Sequence, residues 1–461
     1  MTINATPISN TNRPQAYPGL AGFAMPPEIL SSEICPNPNH RNAFRESGDP
    51  WPAIVPDALP STKDAHLGRQ VESHPQTSSF NLARIRRERL ELPRIAGDLV
   101  GNKALADCGR YVVPGSAGVV LSYDAGKNAA GFRGVQHCNL PWLCAVDDAR
   151  DRAARGAQLV EAAARIAGRG WYLAMITYTV QHVLGEAYAA VLDDLCAALV
   201  KTKRGTPWAR IKAKHGILAD VTVLEPLYSF DTGPHPHKHA LVILDHKPTA
   251  DELDLLQEKI GARFVTMAGK LGRRVSPTYG VTVTTGPNVA AYLAKWTAAD
   301  ELASSGKDSA SCTPFDLLRR YAAGSAQAGA AFCDYAQAIK GRRRLVWSRG
   351  LKELLGMENW TPEEADQDAA SPVLVLAGDQ WAQVWKLQKR AELLAVTVAT
   401  RGHAPSIWRY LVEVCRVTYD PDAAQERLER QTRLDARKSD KAQVRRQAAA
   451  KSALGALGDQ L

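Results

Sequence analysis

Short β-rich runs alternate with helix-like segments through residues 171–303, and this alternation most constrains how the chain can fold. Apolar residues at helical spacing predict helices over 186–201, 249–272 and 286–303. The β-rich runs are WYLAMITYTV (171–180), ILADVTVLEPLYS (217–229), HKHALVILD (237–245) and YGVTVTT (279–285). The turn DTGP separates the middle two, which predicts an antiparallel hairpin. The chain is therefore predicted to be α+β, with a central, mostly antiparallel sheet and flanking helices.

Composition divides the rest of the chain. The chain of 461 residues is too long to form a single domain around one hydrophobic core. Hydrophobic residues make up 45% of it, enough for at least one sizeable core. Residues 1–80 are rich in Pro, Asn, Ser and Thr without a sustained period, which is typical of disordered or loosely attached segments. The predicted domains are this N-terminal segment 1–80, a Cys-containing subdomain 81–168, the α+β core 169–305, a mainly helical basic region 306–420 and a charged helical tail 421–461.

Charge and hydropathy narrow the class of protein. The formal net charge of +9 favours an anionic partner such as nucleic acid. Every apolar run is too short to span a bilayer, so no membrane association is expected. The start, MTINATPISN, lacks the features of a signal peptide. Eight cysteines scattered through a long chain do not form a small disulfide framework, so we expect a reducing cytoplasm.

Three histidines stand at every second position in PHPHKHALVIL (234–244), where they run straight into an unbroken apolar stretch. On a strand, His235, His237 and His239 point to one face. Imidazoles bind divalent transition ions. Pro236 removes a backbone donor, so His237 and His239 are the better-placed pair. Glu225, on the preceding strand, can complete a His/His/carboxylate site. The alternatives are a solvent-facing strand start and a structural metal site without chemistry.

Tyr292 and Lys295 lie three residues apart in the last predicted helix and share a helix face. A tyrosine can be a covalent nucleophile, but its ordinary pKa is about 10, so a nearby cation must favour the phenolate. A metal ion can also polarise a phosphoryl oxygen. Taken alone, Tyr292 reads as an ordinary core aromatic, and the pair gains meaning from the histidine strand upstream.

Together these segments resemble the replication initiators (Rep proteins) of small rolling-circle plasmids, in the HUH endonuclease superfamily. WYLAMITYTV is similar to the first family motif, an apolar strand that usually ends in Thr. GPHPHKHALVIL (233–244) resembles the metal-binding HPHxH motif, and NVAAYLAKW (288–296) resembles the motif with the nucleophilic Tyr and a Lys three residues later. Glu225 matches an acidic position that the family often carries. The resemblance covers residues 105–352.

The resemblance implies an activity. Such proteins nick one strand of a plasmid origin at a single-stranded site, stay attached to the 5′ phosphate, and leave a 3′-OH that primes replication. Carried over, His237 and His239, with His235 as a third candidate, hold Mg²⁺ or Mn²⁺, Tyr292 is the nucleophile and Lys295 orients or charges the site. Host helicase and polymerase are the further partners that it implies.

Two positions depart from the family pattern. Lys238 stands between the last two histidines where an apolar residue is usual, and it is tolerated if its strand face is partly solvated. Some relatives carry a Glu four residues before the nucleophile, and here that position is Asn288. An amide cannot act as a general base, so termination by an activated water is in question.

A cysteine cluster upstream also has a family counterpart. FRGVQHCNLPWLCAVDD (132–148) follows the pattern C…GLxxCxxxWxCPxC up to Cys144, and the expected last Cys falls at Asp147. Cys108, Cys138, Cys144 and Asp147 are thus a candidate zinc site, with His137 as another ligand. The alternative is a degenerate site whose cysteines pack as ordinary buried residues.

A basic segment follows the core, and GRRRLVWSRGLK (341–352) is similar to a Trp-Ser segment downstream in these initiators. Basic residues neutralise phosphates while an aromatic ring stacks on an unpaired base. The DNA-binding candidates are Arg342, Arg343, Arg344, Trp347 and Arg349. A solvated basic segment with Trp347 in the core is the alternative, and the same holds for RIRRER (84–89).

Other functions remain open from sequence. An HUH-class relaxase or transposase shares the chemistry, although relaxases commonly place the tyrosine before the histidines. A DNA-binding regulator that has lost cleavage would share the fold. A metal-dependent phosphohydrolase without a covalent step would not need Tyr292.

Overall fold

The structure of the chain is a computed structural model that describes residues 79–297, 311–357 and 371–437, without the side chains of residues 79–86 and 295–297. The predicted N-terminal segment 1–80, apart from its last two positions, lies outside the described residues. The same is true of the predicted helix 286–303 beyond residue 297 and of the tail beyond residue 437.

The predicted alternation of strands and helices is present, with additional elements on either side. The strands are β1 (Val119–Asp124), β2 (Ala129–Arg133), β3 (Tyr172–Tyr178), β4 (Ile217–Glu225), β5 (Tyr228–Ser229), β6 (Gly233–Pro234), β7 (His237–Leu244), β8 (Val281–Thr285), β9 (Leu345–Trp347) and β10 (Ser371–Leu376). The helices are α1 (Ser79–Val100), α2 (Lys103–Ala106), α3 (Ala145–Gly168), α4 (Tyr188–Thr202), α5 (Gly205–Lys214), α6 (Ala250–Gly269), α7 (Pro287–Thr297), α8 (Pro314–Ala322), α9 (Ala326–Ala338), α10 (Leu351–Leu355), α11 (Gly378–Lys386), α12 (Arg390–Ala399) and α13 (Ala404–Glu413). Residues 421–437 are also helical.

The central sheet has five strands in the order β8-β3-β7-β4-β9, and every neighbouring pair is antiparallel. The prediction of an α+β chain with a mostly antiparallel sheet is confirmed. β4 and β7 pair as the predicted hairpin, with Glu225 opposite His237. The unbroken apolar run of β7 is explained by its central place, because both faces of that strand are covered.

Helices cover the two faces of this sheet. On one face, α4 and α6 pack on Ile176 and Val242 through residues such as Phe264. On the other face, α3 and α7 pack on Val221 and Ile243. α6 starts at a capping box in which Thr249 and Glu252 satisfy each other's backbone donors. Its buried residues recur every four positions, the spacing of a helix with one apolar stripe: Leu256, Ile260, Phe264 and Ala268.

A second sheet, in the order β10-β1-β2, lies outside the central one. Helices α11 to α13 pack on it around Trp381 and Ile407. The region 306–420 was predicted as mainly helical, yet it supplies β9 to the central sheet and β10 to the second. Both pairings join residues more than a hundred positions apart, so no local pattern announces them.

A further apolar cluster lies where α1, α8 and α9 meet, around Leu105, Leu318 and Phe332. Cys108 and Cys144 are buried in this cluster. Among the described residues, none of the helices combines the length and the hydropathy that crossing a bilayer requires.

Candidate active site and metal centres

Strand alternation gathers polar residues on one face at one end of the central sheet. Thr177 pairs with His239 across β3 and β7, and Glu225 pairs with His237 across β4 and β7. These residues share a face with Val221 and Ile243 because side chains two apart point the same way. The same face is covered by α7, the helix that carries Tyr292. The site therefore combines three strands and one helix that are distant in sequence.

The ring nitrogens of His237 and His239 have defined neighbours. Nδ1 of His239 lies 3.0 Å from Thr177 Oγ1, and its Nε2 lies 2.8 Å from Glu225 Oε2. Nδ1 of His237 lies 3.2 Å from Thr179 Oγ1. Nε2 of His237 is buried and has no hydrogen-bond partner. A buried polar atom without a partner is costly, so this nitrogen fits a ligand position facing a cation.

Two of the histidines are held in the neutral form that binds metals. Burial and the neighbouring His182 lower the pKa of His235 to about 4. Burial and the neighbouring His235 lower the pKa of His237 to about 3. Glu225 opposes both shifts without cancelling them. Both imidazoles therefore keep a lone pair at neutral pH, as metal ligation requires.

The rings form a row along the strand. The centroids of His235 and His237 are 4.3 Å apart, and those of His237 and His239 are 6.0 Å apart with nearly parallel planes. A fourth ring, that of His182, continues the row, with its centroid 4.5 Å from that of His235. Sequence reasoning missed His182, because a single histidine in the loop after β3 carries no spacing signal.

Tyr292 lies over the same row. Its side chain is 7% exposed, and its ring centroid is 5.1 Å from that of His239. The structure thus brings the predicted nucleophile to the predicted ligands across more than fifty residues of sequence. Lys295 lies three positions later in α7, and its side chain is outside the described residues.

Lys238 occupies the opposite face of β7. A lysine at this position was expected to need a partly solvated strand face, but α4 and α6 cover the face and Lys238 is only 9% exposed. Burial lowers its pKa, which a contact with Cys196 partly opposes. The hydrocarbon stem accounts for how a lysine is accommodated there, because it can lie along apolar surface.

The four residues of the predicted zinc site come together. One ligand atom from each of Cys108, Cys138, Cys144 and Asp147 lies within 4.8 Å of the others. Cys108 and Cys144 sulfurs are 3.5 Å apart, and Asp147 Oδ2 is 3.1 Å from Cys138 Sγ. Cys144 is the N-cap of α3, which places Asp147 in the first helical turn. Three sulfurs and one carboxylate oxygen can hold a metal ion.

The surroundings of this cluster match a metal site. His137 Nδ1 lies 2.6 Å from Oδ1 of Asp147, so it orients the carboxylate from outside the four ligand atoms. Burial lowers the pKa of His137, but Asp147 and Cys108 outweigh it and raise the pKa to about 9. Hydrogen bonds from Cys138 and Cys144 lower the pKa of Cys108, which favours a thiolate there, while the hydrogen bond to Cys108 raises the pKa of Cys138 and burial raises that of Cys144. Thiolates are the form in which cysteine binds metals.

The predicted DNA-binding segment divides into exposed and buried members. Arg343 and Arg349 are exposed. Arg342 is partly buried and pairs with Asp193. Trp347, in β9, is partly buried beneath Lys352.

Arg344 differs from the expectation of a DNA contact. It is 7% exposed, pairs with Asp148 and Asp151, and stacks on Trp142 at 4.2 Å. The side chain ties β9 to the start of α3 and faces protein instead of solvent.

Comparisons with known proteins bear on the whole arrangement. The chain is 25% identical over 336 residues to "Protein rep" of Streptomyces lividans, an alignment that covers 58% of this chain and 72% of that protein. It is 26% identical over 152 residues to "Neomycin resistance protein" of Streptomyces cyanogenus, covering 28% of this chain and 35% of that protein. The first similarity confirms the predicted resemblance to a Rep protein. No protein-family model and no solved structure matches the chain.

Proposed function

We propose that the chain is a rolling-circle plasmid replication initiator of the HUH endonuclease type. The observation that carries the proposal is the position of Tyr292, whose ring centroid lies 5.1 Å from that of His239. The sheet face beneath it also holds His235, His237 and Glu225. Similarity to a Rep protein supports it independently. The substrate would be plasmid origin DNA, single-stranded at the nick, with host helicase and polymerase acting afterwards.

In the proposed reaction, the Tyr292 oxygen attacks the scissile phosphorus. A bond forms between that oxygen and phosphorus as the phenol gives up its proton, the P–O3′ bond breaks, and the leaving 3′ oxygen takes up a proton. The product is a 5′-phosphotyrosine and a free 3′-OH. The reverse attack by a 3′-OH on the phosphotyrosine rejoins strands and regenerates Tyr292.

The ion site is assigned to His237, His239 and Glu225, with His235 as a third imidazole. The buried Nε2 of His237, which has no hydrogen-bond partner, supports this assignment. A bound Mg²⁺ or Mn²⁺ would polarise the phosphoryl oxygen and offset developing negative charge. Lys295, one helical turn after Tyr292, is proposed to add positive charge beside the phenolate.

Termination is proposed to differ from that of relatives with a glutamate before the nucleophile. Asn288 lies one turn before Tyr292 in α7 and is exposed. Its amide cannot take a proton from water, so release by a second strand transfer is favoured over hydrolysis.

The remaining parts are assigned supporting roles. Residues 169–305, with β9 added, are proposed as the endonuclease core. The Cys108/Cys138/Cys144/Asp147 cluster is proposed to hold zinc that fastens α3 to the segment before it. Arg343, Arg349, Trp347 and the partly exposed Arg342 are proposed to contact DNA, and Arg344 is left out of that set.

The test is a covalent adduct assay. Purified protein is incubated with labelled single-stranded DNA spanning the origin and Mn²⁺, with and without chelator. We expect a chelator-sensitive adduct that survives denaturation, its loss in Tyr292→Phe, and its retention in Tyr279→Phe, whose ring is 74% exposed. An equal adduct with Tyr292→Phe would move the nucleophile elsewhere. Cleavage without an adduct would indicate a hydrolase, and binding without cleavage a DNA-binding regulator.

A further inference from the structure

A hydrogen-bonded relay runs from the backbone to the outermost histidine of the row. Nδ1 of His182 lies 2.8 Å from the carbonyl oxygen of Thr232, and Nε2 of His182 lies 2.6 Å from Nδ1 of His235. A carbonyl oxygen only accepts, so Nδ1 of His182 carries the proton. In the hydrogen bond between the two rings, Nε2 of His182 is then the acceptor and Nδ1–H of His235 the donor.

We infer that His182 is a positioning residue, which fixes the tautomer and orientation of His235 so that His235 offers Nε2 to the ion. This inference rests on the ion site of the proposed function. When Nδ1 of a neutral imidazole donates, its lone pair is at Nε2. Metal-bound histidines are commonly held in this way by a partner on the other nitrogen.

The other two histidines also have a polar partner at Nδ1. Thr177 and Thr179 lie beside Nδ1 of His239 and His237. Nε2 of His239 faces the Glu225 carboxylate, and Nε2 of His237 is buried without a hydrogen-bond partner. A threonine hydroxyl can either donate or accept, so it does not fix a tautomer, whereas His182 is itself oriented by a backbone carbonyl.

The loop that carries His182 is fixed independently of any ion. The Gln181 N–H donates to the Arg274 carbonyl at 2.9 Å, and the Val183 N–H donates to Glu186 at 2.9 Å. Gly233 has φ +84°, and a Cβ there would lie 2.8 Å from the Val183 carbonyl oxygen. The loop therefore packs closely on the turn before β7, so His182 is held in place before an ion binds.

Three substitutions separate the two hydrogen bonds of His182. His182→Gln can still accept from His235, because its amide oxygen reaches the place of Nε2. His182→Asn can still donate to Thr232 but is too short to reach His235. His182→Leu does neither. His246→Leu, at the other end of β7, is the matched control, since His246 is 44% exposed and pairs with Asp245.

The readout is Mn²⁺ affinity without DNA, from the electron paramagnetic resonance signal of the free ion. His182→Asn and His182→Leu should weaken binding by about 10- to 100-fold, the usual effect of losing a partner that orients a ligand. His182→Gln and the His246→Leu control should stay close to wild type. Thermal melting shows that each variant is folded, and His182→Asn keeps the loop contact if His182→Leu unfolds.

The outcomes distinguish this inference from the proposed function. If His182→Asn and His182→Leu both bind Mn²⁺ with wild-type affinity, the positioning role of His182 is overturned and the ion site stays intact. If His182→Gln loses as much Mn²⁺ affinity as His182→Leu, His182 is itself a ligand, and the positioning role is again overturned. Absence of Mn²⁺ binding by the wild type would overturn the ion site and the inference together. The Tyr292 adduct assay tests the nucleophile separately.

Discussion

Glu225 and His239 meet across adjacent strands, with Oε2 of the carboxylate 2.8 Å from Nε2 of the imidazole. Both atoms are assigned as ion ligands, and without an ion they satisfy each other. An ion that both atoms bind must therefore replace the hydrogen bond between them and displace its proton. The carboxylate supplies the negative charge of the site, which the imidazole ligands cannot supply.

Glu225→Gln is expected to weaken Mn²⁺ binding by at least about tenfold, because even an outer partner of a metal ligand is worth that much. The amide can still accept a hydrogen bond from His239, so the strands should remain paired. Calorimetric titration with Mn²⁺ measures the affinity, and the adduct assay measures the consequence. Glu258→Gln, an exposed carboxylate on α6, is the control. Equal Mn²⁺ affinity in Glu225→Gln and wild type would remove Glu225 from the site.

Lys203 and Asp220 form an ion pair beneath the same sheet, with Nζ 2.6 Å from Oδ2. Lys203→Met should leave the carboxylate without its cation and destabilise the chain by roughly 2 kcal/mol. This is less than the about 3–5 kcal/mol for breaking a fully buried pair, since the side chains keep 16% and 18% exposure. Urea unfolding at pH 7 measures the change, with the exposed Lys259→Met as control.

The same pair has a defined pH dependence. Burial raises the pKa of Asp220, but Lys203 and hydrogen bonds from Thr222 and Ser348 outweigh it and leave the pKa below 3.8. Because the folded pKa is depressed, the stabilisation is present above about pH 4 and is lost as the pH falls through the folded value. In Lys203→Met the pKa of Asp220 should rise, so the difference between variant and wild type shrinks from pH 7 to pH 4. A constant difference would contradict this assignment.

The sequence predicted most of the strands that carry the histidine face, because the signals of those strands are local. Period-two histidines followed by an apolar run define β7, and the register that places Glu225 opposite His237 follows from the hairpin. His182 was not predictable, because its meaning depends on a loop meeting the turn at Thr232. The burial of Arg344 was unpredictable for a related reason, since a run of arginines reads as solvated until Asp148 and Asp151 are brought against it.

The cysteine cluster shows the reverse case. Its four members were assembled from a family pattern, including Asp147 in place of a cysteine, and the structure brings their ligand atoms within 4.8 Å. The pairings of β9 and β10 were not foreseen, because β-pairing between distant segments leaves no period in either one. Sequence motifs thus predicted individual strands, helices and the cysteine cluster. The sheet that each of β9 and β10 joins depends on pairing between distant segments, which no local pattern records.

Cys144→Ser is expected to abolish zinc retention and lower the melting temperature, because Cys144 both offers a ligand and caps α3. Stoichiometry comes from elemental analysis of the purified chain, and stability from thermal unfolding with and without chelator. Cys196→Ser, outside the cluster, should keep the metal. We expect chelator to lower the melting temperature of wild type and not that of Cys144→Ser. A chelator effect of equal size in both would place the stabilising ion elsewhere.

Arg344→Met is expected to act on folding and not on DNA directly. Asp148 and Asp151 are 5% and 7% exposed, and removing the guanidinium takes a cation away from both buried carboxylates, although Asp151 keeps its ion pair with Arg155. Breaking a buried pair in this way costs about 3 kcal/mol or more. Urea unfolding should show that loss, and any fall in DNA affinity should follow the folded fraction.

Arg349→Ala, in the same segment, is expected to lower DNA affinity and to leave stability unchanged. Its side chain is exposed, so unfolding should change by less than about 0.5 kcal/mol. If Arg349 contacts a phosphate, affinity for single-stranded DNA falls and the slope of log affinity against log salt decreases by about 0.7. Fluorescence anisotropy from low to high salt measures both. An unchanged slope in Arg349→Ala, or a changed slope in folded Arg344→Met, would reverse the division of roles drawn from burial.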